Sequence, residues 1–294
     1  MTMNISVGIM AYNEEANIGR LLKAVMTQEV KDGNINEIFV VSSGSMDRTD
    51  DIVREYESMD NRIKLIVQKK REGKASAINL FLEKATGDII ILESGDTLPV
   101  EGTFRNMVEP FRDLSVGMTG AHPVPVNSKE TFVGYVVNLM WSLHHRIALE
   151  TPKLGELVAF RNIVRSIPND TAVDEASIEA IVTQAGYRLH YAGDAIVRNK
   201  GPENIRDFIK QRRRIAAGHK HLAMETRHEV STSSPVKILR YLFKGHSHNP
   251  GEILWTLGAV SLEAIGRLLG YYDFYVKKKN PFVWDIAEST KRLD

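Results

Sequence analysis

The first third of the chain alternates between short apolar runs typical of buried strands and longer runs typical of amphipathic helices, and this order constrains the fold more than any other feature. In the first helix-like run, apolar residues recur at spacings of three and four, which forms one stripe for packing on a sheet. The alternation predicts an α/β fold with a mostly parallel sheet flanked by helices. The strand-like runs are residues 5–12, 35–43, 63–68 and 88–94, and the helix-like runs are residues 14–28, 47–58 and 74–85.

Composition fits a globular chain and excludes several kinds of site. At 294 residues the chain can form one large domain or two smaller ones, and its hydrophobic (43%) and charged (26%) contents are ordinary. The absence of Cys excludes disulfides, zinc–thiolate sites and thiol nucleophiles. A formal net charge of +1 gives no overall attraction to nucleic acid. The first residues lack a signal-peptide pattern and no long uncharged apolar window occurs, so we expect a cytoplasmic protein without a conventional spanning helix.

Polar loops follow the predicted strands at their carboxyl ends, in residues 11–15, 42–47 and 93–97. The most abrupt change is the aliphatic run "IIIL", which stops at "ESGD" in residues 93–96. Ser, Gly and Asp are ordinary turn formers, which is one interpretation of this stretch. The other is that a parallel sheet presents functional groups at the carboxyl ends of its strands, in the crevice above the sheet.

Beyond Pro99 the alternation weakens and the chain becomes more basic. A long apolar helix is predicted over residues 131–149, and an acid-capped helix followed by a strand is predicted over residues 173–192. Residues 201–245 hold ten Lys or Arg against four acids, so the positive charge is concentrated in one stretch.

The order of the motifs resembles that of a known family. The matching stretches are "AYNEEANIGRLL", "VVSSGSMDRTDDIV", "REGKASAIN", "TGDIIILESGDTLP", "VDEASIEAIVTQAGYRLHYA" and "IKQRRRIAAGH". Together they resemble the motifs of family 2 nucleotide-sugar-dependent glycosyltransferases, which have the GT-A fold. The resemblance implies inverting transfer of a sugar from a nucleotide-diphosphate donor to an acceptor, by a GT-A catalytic domain that we place at residues 1–230.

The resemblance also implies a divalent metal, Mg²⁺ or Mn²⁺. A hard cation that bridges the donor phosphates prefers carboxylate oxygen. Asp96 stands where the family's Asp-x-Asp motif has its second acid, so we assign the metal to Asp96. Ser94 stands where that motif has its first acid, and Glu93 lies one residue out of register.

The same resemblance implies that the polar loops enclose the base and ribose of the donor. Tyr12 offers an aromatic face and Asn13 a paired donor and acceptor, although Asn13 also suits a helix cap. Lys74, at the family's Gly-Lys position, would support the base pocket or the phosphates. The full set of predicted nucleotide-binding residues is Ala11, Tyr12, Asn13, Glu14, Ser42, Ser43, Asp47, Lys74, Ser94 and Gly95.

Two further motifs of the family supply the chemistry. Asp174 and Glu175 open a helix in register with its paired acids, and we predict Glu175 as catalytic base with Asp174 in support. In "QRRRI", Gln211 and Arg214 would contact the diphosphate, because a guanidinium fork suits phosphate oxygens. The two arginines between Gln211 and Arg214 are expected on a solvated or membrane-facing surface, and Ile215 replaces the family's Trp.

Residues 231–294 are predicted to form a separate amphipathic helical segment that begins with the linker-like stretch "STSSP". The run "SPVKILRYLFKG" is typical of a basic amphipathic helix, and Glu252, Thr256, Glu263 and Arg267 form a narrow polar strip on a later, otherwise apolar helix. Such a wide apolar face must be covered by lipid, by a second copy of the chain in a homodimer, or by the catalytic domain. We favour peripheral contact with the inner face of the cell membrane over a spanning helix, because charges would otherwise lie at mid-depth.

The predicted partners are therefore a nucleotide-sugar donor, a glycan or lipid-linked (polyprenyl phosphate) acceptor, and a membrane surface, without nucleic acid. A non-catalytic relative that binds a nucleotide sugar or a membrane is the main alternative, because Ser94 replaces an acid and the order Asp174-Glu175 is inverted. A nucleotidyltransferase is disfavoured, because "MAYNEEANIG" carries acids where a Gly-rich, basic phosphate loop would stand.

Overall fold

The computed structural model describes residues 2–226, 238, 240–242, 249–278, 280 and 288–293. An eight-stranded mixed sheet forms its centre, with helices packed on both faces. The strands are β1 (Met3–Ala11), β2 (Gly33–Ser43), β3 (Ile63–Gln68), β4 (Ile89–Ser94), β5 (Thr97–Pro99), β6 (Val116–Pro125), β7 (Val158–Arg161) and β8 (Arg188–Asn199). The α-helices are α1 (Ile18–Met26), α2 (Thr49–Met59), α3 (Lys74–Leu82), α4 (Thr103–Val108), α5 (Phe132–Glu150), α6 (Asp174–Gln184), α7 (Ile205–Thr226) and α8 (Pro250–Tyr275).

The first half of the sheet is parallel, as the alternation predicts. Its order is β3-β2-β1-β4, and β1 lies between β2 and β4. At the carboxyl end of β1, Ala11 pairs with Ser42 and Met10 pairs with Ser94. The loops that follow these strands therefore lie side by side at one edge of the sheet.

The second half, in the order β7-β6-β8-β5, is mixed and was largely missed from the sequence. β7 and β5 are only four and three residues long, too short for a periodic pattern, and both pair antiparallel with a neighbour. β6 has Pro123 and Pro125 near its end, which weakens its strand signal. The expected helix and strand over residues 173–192 are confirmed as α6 and β8.

Helix α3 packs on β1 at the one position where the strand has no side chain. A Cβ on Gly8 would lie 2.3 Å from the ring of Phe81, which is fully buried. This close approach places the start of α3, at Lys74, above the carboxyl end of the sheet.

Helix α8 packs along α7 through its polar strip. Glu263 accepts two hydrogen bonds from Arg212, at 2.6 and 2.8 Å, and one from Arg267 at 2.6 Å. Nearer the end of α8, Asp273 pairs with Arg213. The expected solvated or membrane-facing arginines are thus ion pairs between two helices, because α8 supplies acids that face α7.

The opposite face of α8 is apolar and exposed. Leu254, Leu257 and Leu268 are 68%, 60% and 66% exposed. By length and composition α8 could cross a membrane, and it is the one such helix within the described residues. The predicted division at residue 230, the linker and most of the basic amphipathic run lie outside the described residues, so the two-domain prediction stays a prediction.

Candidate active site

A cavity of about 1110 Å³ opens above the carboxyl ends of β1, β2 and β4. It brings together side chains from both halves of the chain that the sequence predicted as site residues. The predicted residues that line it are Ala11, Tyr12, Glu14, Ser43, Lys74, Ser94, Asp96, Asp174, Glu175, Gln211 and Arg214. Asn13, Ser42, Asp47 and Gly95 lie in the same loops but outside the lining.

Those four residues hold the loops together. Asn13 has a left-handed backbone (φ 51°), its N–H donates to Ser45 Oγ at 3.1 Å, and its side-chain oxygen accepts from the N–H of Met46 at 2.8 Å. The Asp47 carboxylate accepts from the N–H of Glu15 and from the N–H of Thr49, both within 3.1 Å. The loop after β1 is therefore fixed on the loop after β2.

Ser42 and Gly95 complete this framework. Ser42 is fully buried and donates to Ser45 Oγ at 2.9 Å. The N–H of Gly95 donates to the carbonyl of Met10 at 2.9 Å. A Cβ on Gly95 would lie 2.8 Å from Cγ of Glu14, so only glycine allows these two loops to approach so closely.

The part of the cavity expected to bind the nucleotide base contains the aromatic ring of Tyr12 and the hydroxyl of Ser43. The guanidinium of Arg71 lies 4.4 Å from the centre of the Tyr12 ring, which fixes one face of that ring. Ser43 Oγ is buried without a hydrogen-bond partner in the described part of the chain. A ligand that enters the cavity can supply that partner.

Acids surround Asp96. Burial and the charge of Asp96 raise the pKa of Glu14 to about 7, and burial, Asp96 and Glu175 raise that of Glu156 to about 7. Glu93 is fully buried in β4, and burial raises its pKa to about 8. Sequence reasoning missed Glu156, because a single Glu in a loop without a motif gives no signal.

This donor chemistry fits a divalent cation shared with a ligand. Carboxylate oxygen is what Mg²⁺ and Mn²⁺ prefer, and the crowding of acids at Asp96 would be relieved by a positive ion. Within the described residues no three acidic, His or Cys side chains are grouped closely enough to hold a metal alone. Asp96 would therefore hold the ion together with oxygens of the ligand, a common arrangement for Mg²⁺ and substrate phosphates.

The paired acids at the start of α6 meet Lys74 at the start of α3. Lys74 Nζ lies 2.8 Å from Glu175 Oε1 and 3.7 Å from Asp174 Oδ2. Burial opposes ionisation of Glu175, but the attraction and hydrogen bond of Lys74 outweigh it and lower the pKa of Glu175. Burial raises the pKa of Asp174 to about 6, against the attraction of Lys74. Lys74 therefore stabilises the carboxylate form of Glu175 more than that of Asp174.

Helix α7 adds positive charge opposite these acids. Gln211 and Arg214 line the cavity, and Arg214 lies within electrostatic range of Asp174, Glu175 and Asp96. Arg214 therefore interacts electrostatically with both the metal-binding candidate and the candidate base.

The 289–293 segment also reaches the site, and sequence reasoning missed it. Lys291 Nζ donates to the carbonyl of Tyr12 at 2.8 Å and forms an ion pair with Glu14. No motif could have indicated this contact, since 279 residues separate Lys291 from Tyr12.

Comparison with known proteins settles the family. A sequence model described as "Glycosyl transferase family 2" matches residues 6–166, more than half of the chain. The chain belongs to glycosyl transferase family 2. The resemblance that the sequence motifs predicted is therefore confirmed, and so is the enzyme class.

Relatives in this family come from bacteria and archaea. The probable glycosyltransferase YdaM of Bacillus subtilis is 25% identical over 288 residues, which span 92% of this chain and 68% of that protein. The glycosyltransferase AglE of Haloferax volcanii is 25% identical over 199 residues, 65% of each chain. An N-acetylglucosaminyltransferase of Rhizobium meliloti is 21% identical, and the matched region spans 54% of it. The chain thus spans between about half and two thirds of these proteins.

Solved structures share the fold. The mannosyltransferase PcManGT of Pyrobaculum calidifontis, in complex with GDP-Man and Mn²⁺, has a TM-score of 0.66 at 22% identity, covering 95% of this chain and 89% of that chain. The glucosyl-3-phosphoglycerate synthase of Mycobacterium tuberculosis, in complex with Mn²⁺, UDP and glucosyl-3-phosphoglycerate, has a TM-score of 0.54 at 17% identity, covering 77% and 81%. The predicted GT-A fold is confirmed.

Proposed function

We propose that this family 2 glycosyltransferase moves a sugar, with inversion, from a nucleoside-diphosphate donor to an acceptor. The observation that carries the proposal is one cavity in which Asp96, Arg214 and the Lys74–Glu175 pair face a common space. Those groups correspond to the needs of the reaction: oxygen ligands and positive charge for the diphosphate, and a base for the acceptor. The structural neighbours crystallised with Mn²⁺ and a nucleotide or nucleotide sugar support the donor class.

The donor would lie with its base beside Tyr12 and Ser43 and its diphosphate between Asp96 and α7. A divalent ion at Asp96 would offset the negative charge of the diphosphate leaving group. Gln211 would donate hydrogen bonds to the phosphates, and the Arg214 guanidinium would stabilise the charge that builds on them as the glycosidic bond breaks.

Glu175 would act as the base on the acceptor. Because Lys74 keeps it ionised, its carboxylate can accept the proton of an acceptor hydroxyl as that oxygen attacks the anomeric carbon opposite the leaving diphosphate. The product carries the inverted anomeric configuration, the proton stays on Glu175, and the nucleoside diphosphate leaves. Asp174 would share the Lys74 charge and fix the side chain of Glu175.

Release of nucleoside diphosphate from UDP-, GDP- and dTDP-sugars, with and without Mn²⁺, tests this function. We expect turnover of one donor, and we expect Glu175→Gln to lower kcat by roughly 10²- to 10⁴-fold with little change in donor affinity, the usual worth of a general base. Glu83→Gln, at an exposed position after α3, is the matched control. Donor binding without turnover in the wild type, with a wide range of acceptors, would favour the non-catalytic alternative.

We further propose a lipid-linked acceptor, on the evidence of the far end of the cavity. There α5 and α8 contribute apolar side chains, among them Trp141 and Val260. Lys153 lines the same cavity. Burial and the nearby Arg212 and Arg267, partly offset by Glu179 and Glu263, lower its pKa to about 8. An ammonium close to two arginines, beside apolar side chains, favours an anionic group on an apolar chain, as in a polyprenyl phosphate.

The contributions of the apolar chain and of the phosphate to acceptor binding can be measured separately. The ligands are a short-chain prenyl phosphate, the prenyl alcohol and inorganic phosphate. We expect the prenyl phosphate to bind most tightly, to quench Trp141 fluorescence, and to lose affinity in Lys153→Met. A glycan that is turned over while prenyl phosphate does not bind would replace this acceptor class and leave the donor site unaffected.

The membrane surface is the partner we propose for α8. In its polar strip, Glu263 pairs with Arg212 of α7 and Thr256 bonds Tyr135 of α5. Leu254, Leu257 and Leu268 are exposed, and Lys277 and Lys278 follow the helix on an exposed stretch. Basic residues beside an apolar face suit an anionic lipid surface. The protein would then work as a peripheral enzyme at the cytoplasmic face of the cell membrane.

A further inference from the structure

The 289–293 segment crosses the donor side of the cavity and contacts the loop that would hold the base. Lys291 Nζ donates to the backbone carbonyl of Tyr12 at 2.8 Å and pairs with the carboxylate of Glu14, whose side chain is 4% exposed. Thr290 and Lys291 both line the cavity. The segment is therefore part of the wall of the site.

Asn17 fixes the backbone of the segment. Asn17 is 1% exposed, and its side-chain N–H₂ donates to the carbonyl of Lys291 at 2.7 Å and to the Glu14 carboxylate at 3.0 Å. Its side-chain oxygen accepts from the N–H of Leu293 at 3.3 Å. One buried amide thus joins the segment and Glu14, which makes the placement of Lys291 specific.

The other end of the segment is bonded to the start of α7. Ser289 Oγ donates to Asp207 at 2.7 Å and accepts from the N–H of Glu203 at 3.4 Å. Asp207 lies one helical turn before Gln211, on the helix that carries the proposed diphosphate contacts. The segment therefore links the base wall to the phosphate wall.

Charge explains why this link matters. Glu14 lies in a buried position close to the charge of Asp96, and Lys291 offsets that repulsion. Without Lys291, Glu14 would lose its ion-pair partner and the Tyr12 carbonyl would lose a hydrogen-bond donor, both of which favour movement of the loop.

We propose that Lys291 is a positioning residue of the donor site: it holds Tyr12 and Glu14 in the conformation that receives the nucleotide, and the 289–293 segment is a fixed wall of that site. The inference rests on the proposed function for the identity of the ligand. The opposite role, a plug that excludes the donor, gives the opposite result when the contact is broken.

Affinity for UDP, GDP and dTDP with Mn²⁺, measured by calorimetry, distinguishes wall from plug. For the nucleotide that binds the wild type best, we expect Lys291→Met to weaken binding by on the order of tenfold or more, as for loss of a buried ion-pair partner. Lys291→Arg should keep most of the affinity, and Arg292→Met, at the exposed neighbour, should keep all of it. Unchanged or tighter binding by Lys291→Met would overturn the proposal.

A second comparison tests the charge argument. In the double variant Lys291→Met/Glu14→Gln a neutral amide replaces the buried acid and needs no ion-pair partner, so part of the lost affinity should return. Equal losses in the single and double variants would mean that Lys291 does not act through Glu14.

Hydrogen exchange tests the contact without a ligand, so a failure of the proposed function can be told apart. We expect the backbone amides of residues 12–17 to exchange faster in Lys291→Met than in the wild type or in Arg292→Met. If no nucleotide binds the wild type, the proposed donor class is wrong. Faster exchange in Lys291→Met would still support the role of the 289–293 segment as a fixed wall of the site. Unchanged exchange would refute the positioning role whatever the ligand.

Discussion

At the scale of single residues, the candidate site depends on a contact that could not be predicted from the sequence. Glu175 and Lys74 were each identified from a motif, but 101 residues separate them, and their 2.8 Å contact requires α3 and α6 to meet above the sheet. The contact also supports the proposed roles: of two adjacent acids, Lys74 lowers the pKa of the one nearer its ammonium. A linear pattern cannot give this, because it contains no distances between motifs.

The Lys74–Glu175 pair predicts a change in pH dependence. In Lys74→Met, burial remains and the attraction is lost, so the pKa of Glu175 should rise. A base must be unprotonated, so the acidic limb of kcat/KM should move to higher pH, by about one unit or more. Lys84→Met, at an exposed site after α3, should leave that limb unchanged. If the acidic limb does not shift in Lys74→Met, Lys74 does not control the pKa of the catalytic base.

At the scale of elements, the sequence predicted the parallel half of the sheet well and the mixed half poorly. Runs such as residues 35–43 carry their own pattern, because both faces of a central parallel strand are buried. β5 and β7 owe their strand conformation to their neighbours, so their short sequences contain little information. The sequence also showed the polar strip of α8. It could not show that α8 packs against α7, because that contact depends on the pairing of Glu263 with Arg212 and of Asp273 with Arg213.

The close contact between α7 and α8 predicts that a larger residue at Gly270 lowers the stability of the protein. A Cβ there would lie 2.5 Å from the carbonyl oxygen of Arg213, so one of the two helices must shift. Although Ala favours a helix over Gly by about 1 kcal/mol, we expect Gly270→Ala to lower the unfolding free energy by about 1–3 kcal/mol through overpacking.

Thermal and urea unfolding measure this change, with Gly251→Ala as control. Gly251 lies on the same helix, and its nearest contact for an added Cβ is ordinary, at 3.4 Å. A Gly270→Ala protein as stable as the control would show that the two helices are not packed so closely.

At the scale of the whole molecule, the apolar face of α8 predicts lipid binding. Sedimentation with vesicles of phosphatidylcholine and phosphatidylglycerol should exceed sedimentation with phosphatidylcholine alone, because Lys277 and Lys278 add attraction to anionic lipid. Leu254→Glu/Leu268→Glu should abolish binding, whereas Leu114→Glu, exposed elsewhere on the surface, should not. A stable dimer in sedimentation velocity, disrupted by the same double variant, would assign the face to a second copy instead.

Calorimetry of UDP-, GDP- and dTDP-sugars with and without Mn²⁺ tests the proposed metal-assisted donor site at Asp96. We predict that one nucleotide sugar binds the wild type in a Mn²⁺-dependent manner, and that Asp96→Asn loses this binding while retaining the wild-type unfolding temperature. Binding that is equally strong in Asp96→Asn, or absent from the folded wild type with every donor, would mean that Asp96 does not form a metal-dependent donor site.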